Sequence, residues 1–212
     1  DFSPDFLTTT LPNFADATVG VVSGELMLKA DASTTTAGEG IGLYWRYEKF
    51  IREAESRFRG VPGATGACYL IRRALYRPIA ATTILDDVAI PLQIIAQGSR
   101  CLFERGAIAY DRPSASTGQE SIRKRRTIAG AVQLMVLYPQ WLLPWRNPLW
   151  FEFVSHKLAR LTSPVWLLTA LIATVMLRDQ SWYALLLIAQ CGCYAAGIIG
   201  WIFQCAGVRS AL

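Results

Sequence analysis

The chain has 212 residues, of which 52% are hydrophobic, and its formal net charge is +5. Basic residues concentrate between Lys49 and Arg126 and again between Arg146 and Arg160, which suits a surface that faces phosphate groups or anionic lipid. The five cysteines follow no metal-binding or disulfide spacing, so the composition argues against a zinc site and against a secreted disulfide scaffold.

The N-terminal part of the chain alternates helical and strand patterns. Residues 6–14 are predicted to form a short helix. The stretch from 19 to 28 is rich in β-branched and apolar residues and predicts a strand. A polar loop rich in Thr and Gly is expected over residues 31–42, and an amphipathic helix over residues 43–58.

A second group of strands follows a turn that contains three glycines. This turn spans residues 60–66 and leads into a predicted buried strand at 67–71. Two further short strands are expected at 101–103 and 107–110, joined by the polar residues 104–106. Strands that alternate with helices predict an α/β layer architecture.

Two adjacent carboxylates, Asp86 and Asp87, open a segment that is otherwise apolar. The apolar residues that follow return at helical spacing, and Gly98 stands where a glycine commonly ends a helix. These apolar residues are Val88, Leu92 and Ile95. Both aspartates are therefore expected at a helix N-terminus, where the helix dipole favours negative charge. An ionised carboxylate there is a candidate general base, but Asp is also a preferred capping residue, and the local pattern alone favours capping.

Several motifs in a fixed order give the chain a resemblance to a known family. They are Gly63-Ala64-Thr65-Gly66-Ala67, Arg72-Arg73, Leu85-Asp86-Asp87, Gln97-Gly98-Ser99-Arg100 and Ala107-Ile108-Ala109-Tyr110. In this order and spacing the chain resembles the acceptor half of membrane-bound family 2 glycosyltransferases, the inverting enzymes that include cellulose, chitin and hyaluronan synthases. The resemblance runs from about Pro4 to Gly130 and implies a partial GT-A domain over residues 1–130.

The resemblance implies roles for four residues. Asp87 matches the carboxylate that deprotonates the acceptor hydroxyl, and Asp86 is its neighbour in the pocket. Thr65 and Gly66 would line the acceptor side. The donor would be a nucleotide-diphosphate sugar and the acceptor a glycan or a lipid-linked hydroxyl. The chemistry is consistent with this, because transfer needs one carboxylate to accept a proton and cations to stabilise the departing diphosphate.

The resemblance implies two sources of positive charge for the diphosphate, a divalent metal ion and a set of basic side chains. In the family, an Asp-x-Asp motif holds Mg²⁺ or Mn²⁺, and its spacing would place it just upstream of Asp1. Because the chain begins with Asp1 and shows no basic-then-apolar leader, we interpret it as part of a longer protein and assign no metal ligand within it. The family motif Gln-x-x-Arg-Trp aligns Arg126 with its Arg, but Arg123 and Thr127 replace its Gln and Trp.

Loss of that Trp argues against processive polymer synthesis. Arg123 and Arg126 are still expected to contact the diphosphate, since guanidinium groups pair well with phosphate oxygens. Two further roles are open to this basic run: a solvated face next to anionic lipid, and a nucleic-acid patch. Nucleic acid ranks last, because no nucleic-acid-binding fold signature accompanies the run.

The composition changes after Gly130. Residues 131–157 mix Trp, Pro and Arg and are expected to lie at the membrane interface. His156, the only histidine, has no catalytic partner nearby in the sequence and is interpreted as structural or interfacial. Residues 158–212 contain two charge-free stretches, which predict a transmembrane helical hairpin with a turn at residues 178–181.

Positive residues flank this hairpin at its outer ends. Lys157 and Arg160 precede it and Arg209 follows it, which predicts a multi-pass protein of the inner membrane whose catalytic domain faces the cytoplasm. The chain is therefore expected to be an inverting glycosyltransferase, inactive on its own. The alternative from another class is a catalytically degenerate membrane module that serves as a binding or assembly partner.

Overall fold

A computed structural model of the chain describes residues 1–28, 36–111 and 117–205. Contacts between Cα atoms divide the chain into two compact units, Asp1–Leu158 and Ala159–Leu212. The first unit is mixed α/β and contains a three-stranded sheet, as the alternating pattern predicted. The second is helical.

The first unit begins with helix α1, Phe6–Thr10, which continues as a 3-10 turn, Leu11–Ala15. Strand β1, Val19–Leu28, follows within its predicted bounds. Helix α2 spans Thr36–Phe58 and begins earlier than expected, since residues 36–42 were predicted as loop. The rest of that predicted loop, residues 31–35, lies outside the described residues.

The sheet has the strand order β2-β1-β3. Strand β2, Tyr69–Ile71, is shorter and less buried than the predicted strand and pairs antiparallel with β1. Strand β3, Arg100–Asp111, pairs parallel with β1. Alternate residues of β3 are buried on either side of its middle, as expected for a strand with one face against the core.

The expected pair of short strands around residues 104–106 is wrong, because β3 is one continuous strand. Its partner residues show why the sequence suggested a turn. Between Ser23 and Glu25, β1 advances by two residues, whereas the paired β3 advances by five, from Phe103 to Ile108. Residues 104–106 are therefore a bulge within the ladder, and a bulge carries the same polar and glycine residues as a turn.

Helix α3, Asp86–Ile95, supplies much of the core. The apolar residues predicted to face inward, Val88, Leu92 and Ile95, are all buried. Gly98 has a φ of +90°, a conformation that favours glycine, and it follows the helix end as predicted.

Helix α4, Thr117–Leu137, continues across residue 130, where the composition changes. A 3-10 turn, Pro139–Leu142, and a short helix α5, Trp150–Glu152, come next, and a π-helical turn, Phe153–Leu158, completes the first unit. The segment predicted to be interfacial contributes buried apolar side chains to the core. They are Leu134, Trp141, Leu149 and Phe153.

The second unit starts with the single turn α6, Ala159–Leu161, followed by α7, Ser163–Met176, and α8, Ser181–Cys205. Helices α7 and α8 contact each other through the polar side chains of α8. Both Gln190 Nε2 and Tyr194 Oη donate hydrogen bonds to the carbonyl of Leu167, each at 3.1 Å.

Among the described residues, one helix is long and apolar enough to cross a membrane, over Ser181–Phe203. Helix α7 has 14 residues, or about 21 Å at the usual rise, which is shorter than a bilayer core. A second span arises only if Trp150–Leu161 and Ser163–Met176 are counted together as one broken span. The predicted pair of continuous transmembrane helices is thus reduced to one continuous candidate by length and composition.

Candidate active site

Asp86 and Asp87 occupy the first turn of α3, as the sequence predicted. The N-cap residue is Leu85, and no side chain caps the helix, so the capping role considered for the two aspartates is wrong. Asp86 is exposed, whereas Asp87 is half-buried. Of the two carboxylates, Asp87 is therefore the one enclosed by the protein.

Pro91 ties this helix to the glycine-containing turn at residues 60–66. Proline has no backbone N–H, so Pro91 cannot donate the helical hydrogen bond that would reach the carbonyl of Asp87 four residues earlier. That carbonyl instead accepts a hydrogen bond from the amide of Ala64 at 2.8 Å. A proline inside the helix thus leaves an acceptor free, and the turn uses it to dock beside Asp87.

Gly66 faces the Asp87 side chain directly. A Cβ atom placed on Gly66 would lie 3.2 Å from Oδ2 of Asp87 and 3.3 Å from its Cβ, which is tighter than ordinary contact. The absence of a side chain at this position therefore leaves room for the carboxylate. The structure brings Gly66 and Asp87 together, although 21 positions separate them in the sequence.

Thr65 is held in a hydrogen-bond network that centres on Arg52. The Arg52 guanidinium donates to Thr65 Oγ1 at 2.8 Å, to Ser23 Oγ at 3.1 Å and to the carbonyl of Gly63 at 3.2 Å. The Thr65 hydroxyl donates to the carbonyl of Gly24 at 2.8 Å. The sequence reasoning missed Arg52, which fixes the turn that carries Thr65.

Burial is the main influence on Asp87, and it raises the pKa of this carboxyl above its ordinary value. The charge of Lys157 opposes this effect and is the strongest of the charge effects, while Asp86 raises the pKa and Arg52 lowers it. On β2, the pKa of Tyr69 is also raised, first by burial and then by Asp86 and Asp87. An aspartate with a raised pKa is a better proton acceptor than a fully solvated one.

His156 lies between two glutamates of α2. Its Nδ1 is 3.1 Å from Oε1 of Glu55, and its Nε2 is 3.1 Å from Oε1 of Glu48. These hydrogen bonds raise the pKa of His156 to about 9, so the imidazole is charged at neutral pH. The structure agrees with the interpretation of His156 as structural, and the glutamates that hold it lie about 100 residues earlier in the chain.

Arg123 and Arg126 lie on α4, and both are exposed. Within the described ranges no ion pair or side-chain hydrogen bond joins either guanidinium to another residue. Their expected contact with a diphosphate stays a prediction. Helix α4 does approach the site through Gly130. A Cβ atom placed on Gly130 would lie 2.6 Å from Cγ of Leu85, the residue before the aspartates.

The implied divalent cation finds no site in the residues that the structure describes. Over 1–28, 36–111 and 117–205, no three His, Cys, Asp or Glu side chains are grouped so that they could hold a metal ion. Asp86 and Asp87 supply two carboxylates, which do not complete the coordination shell of a divalent cation without water or phosphate oxygens. We assign no metal ligand to these residues.

No protein-family model matches the chain, and comparison with curated protein sequences gives no match. Among solved structures, the chain is similar to the mannosyltransferase PcManGT from Pyrobaculum calidifontis, which was solved in complex with GDP-Man and Mn²⁺. The two share 16% sequence identity with a TM-score of 0.48, over 92% of this chain and 57% of that chain. This chain therefore spans little more than half of that protein's length, and at this TM-score the similarity assigns no function.

Proposed function

We propose that this chain is the acceptor-binding part of a membrane-bound, inverting glycosyltransferase that uses a nucleotide-diphosphate sugar. The observation that carries the proposal is the setting of Asp87. Its carboxylate is half-buried at the start of α3 and faces the side-chain-free surface of Gly66. The motifs that resemble family 2 glycosyltransferases include both of these residues, which supports the same role from the sequence.

In the proposed reaction, Asp87 acts as a general base. It accepts the proton of the acceptor hydroxyl as the oxygen attacks the anomeric carbon of the donor sugar. The new carbon–oxygen bond forms while the bond to the diphosphate breaks, and the nucleotide diphosphate leaves with the electron pair. Attack from the face opposite the leaving group inverts the anomeric carbon. Burial of Asp87 supports this role, because it makes the carboxylate more basic.

The remaining assignments follow from the same proposal. Thr65 and Gly66 line the acceptor side, and Asp86 adds negative charge beside the base. Arg123 and Arg126 would contact the diphosphate of the bound donor. The acceptor is a glycan or a lipid-linked hydroxyl, presented at the cytoplasmic face of the inner membrane. The apolar helix Ser181–Phe203 supports a membrane location by its length and composition.

The test is Asp87→Asn in the complete protein that contains this chain, purified in detergent and supplied with a panel of nucleotide-diphosphate sugars. We expect kcat to fall by about 10²–10⁴-fold, as for loss of a general base, while donor affinity stays unchanged. Nucleotide release and sugar incorporation measure turnover, and donor titration measures affinity.

The matched control is Asp16→Asn. The Asp16 carboxylate is exposed and accepts hydrogen bonds from the backbone and side chain of Thr18, away from the site, so turnover should be retained. Retained turnover in Asp87→Asn would remove Asp87 from the mechanism. A wild-type protein that turns over none of the donors would favour the degenerate membrane module instead.

A further inference from the structure

The segment that contains His156 is fixed to α2 by two ionic hydrogen bonds. Glu48 and Glu55 lie two helical turns apart on the same face of α2, and His156 fits between them. All three side chains are largely removed from solvent, with exposed fractions of 13% for His156, 19% for Glu48 and 12% for Glu55. The π-helical turn Phe153–Leu158 is therefore held at a defined position against α2.

Lys157 follows His156, and its ammonium group lies next to the glycine-containing turn at residues 60–66. A Cβ atom placed on Gly63 would be 3.4 Å from Nζ of Lys157 and 3.5 Å from the carbonyl oxygen of Asp87. The same atom would also be 3.4 Å from Cγ2 of Val88. The ammonium group of Lys157 and the backbone of Asp87 thus both approach Gly63, which has no side chain to separate them.

The surroundings of Lys157 strengthen its electrostatic effect. Lys157 lines a small cavity together with apolar side chains from the start of α3, from α4 and from the π-helical turn. These side chains include Leu85, Val88, Leu134 and Phe153. Charges act on each other more strongly next to apolar groups than in open water.

We propose that Lys157 is a positioning residue whose ammonium group supplies positive charge beside Asp87, and that the Glu48–His156–Glu55 clamp holds Lys157 in place for this task. The inference rests on the proposed function only in calling Asp87 the base. It gives the segment predicted to be interfacial a role in the site itself.

The other groups that face Asp87 do not take this role. Arg52 of α2 acts on Asp87 more weakly than Lys157, and its guanidinium is committed to Thr65, Ser23 and the carbonyl of Gly63. Asp86 on the same helix carries like charge. Tyr69 on β2 is neutral near pH 7, because burial raises the pKa of its hydroxyl above the ordinary value. Lys157 is thus the strongest positive influence on the carboxylate.

The experiment compares Lys157→Met and Lys157→Gln, which remove the charge, with Lys157→Arg, which keeps it. We expect the acidic limb of the pH–kcat profile to move to higher pH by about one unit in the two neutral variants and to stay near wild type in Lys157→Arg. On the alkaline side of this limb kcat should be close to wild type in all three variants, because Asp87 is ionised there with or without Lys157. Use of two neutral variants guards against one that fails to fold.

A second readout does not depend on activity. Carboxyl NMR of isotope-labelled aspartate, with the Asp87 signal assigned from Asp87→Asn, follows the titration of Asp87 in the intact protein in micelles. We expect the same upward shift in Lys157→Met and none in Arg57→Met. The latter removes an exposed cation of α2 that pairs with Glu53.

The outcomes separate the two claims. An unmoved Asp87 titration in both neutral variants overturns the inference, whatever the protein's activity. A shifted titration in a protein without transferase activity supports the coupling between Lys157 and Asp87 but contradicts the proposed function.

Discussion

At the scale of single residues, the site depends on positions where a side chain is missing. Gly66 gives room to the Asp87 carboxylate, and Gly63 allows Lys157 to approach the same turn. Pro91 acts through its missing N–H, since the free carbonyl of Asp87 binds Ala64 instead. Each of these residues matters through a group that it lacks, because that lack lets another group approach closely.

Gly66→Ala tests the first of these positions. The added Cβ would lie 3.2 Å from Oδ2 of Asp87, so the carboxylate must move by a few tenths of an ångström. We expect sugar transfer to fall by about 10- to 100-fold, because small displacements of a catalytic group are costly. The free energy of unfolding should change by less than about 1 kcal/mol, since the group that moves is a side chain.

Steady-state kinetics and chemical denaturation measure both effects. Gly192→Ala is the control, because a Cβ atom at Gly192 has no neighbour within 4 Å. Unchanged transfer in Gly66→Ala would show that the carboxylate works without its present orientation toward the turn.

The sequence could indicate part of this site. The Asp86-Asp87 pair, the helix that follows and the glycine-containing turn were all visible as local patterns. Arg52 and Lys157 were not, because each acts on Asp87 across a long stretch of chain and looks locally like an ordinary surface cation. Charge partners that meet only in the folded chain leave no periodicity or spacing in the sequence.

At the scale of elements, the clearest departure from the sequence prediction is β3. A polar stretch with a glycine can end a strand or form a bulge within one, and the local pattern does not distinguish the two. Only the parallel pairing with β1 decides in favour of the bulge. The bounds of α3, in contrast, could be predicted closely, because apolar periodicity and Gly98 both mark them.

The clamp between α2 and the π-helical turn makes stability depend on pH. The pKa of His156 is raised to about 9 in the folded chain from an ordinary value of 6.5, so its charged form favours folding. This stabilisation is fully present below pH 6.5 and is lost as the pH rises toward 9. We expect a loss of about 1–2 kcal/mol over that window, after allowing for the partial exposure of the clamp.

Chemical denaturation at about pH 6 and about pH 9.5 measures this dependence. In His156→Gln the same pH change should have a smaller effect on the free energy of unfolding, because the titrating group is gone. Arg57→Met serves again as the control, since Arg57 lies on α2 but outside the clamp. A pH dependence that persists unchanged in His156→Gln would assign it to another group.

At the scale of the whole molecule, the two units differ in which surfaces are apolar. In the first unit the large apolar side chains of α3 are buried, whereas α8 exposes many of its own. Examples are Trp182, Leu185, Ile188 and Trp201. The polar groups Gln190 and Tyr194 lie against α7, so the outward face of α8 is the apolar one. This arrangement is typical of a helix whose surroundings are lipid.

Cys193→Asp tests whether α8 spans the membrane. Cys193 is exposed and lies near the middle of Ser181–Phe203, so an ionised aspartate there would sit in the hydrocarbon core. We expect the apparent free energy of insertion to become less favourable by about 2.5–3.5 kcal/mol, as measured by the fraction of chains inserted in a glycosylation-mapping assay. Ser181→Asp is the control, because the first residue of the span would lie near the headgroups, where charge costs little. Equal insertion of both variants would mean that the middle of α8 is not in contact with lipid, and the apolar surface would then have to be covered by protein.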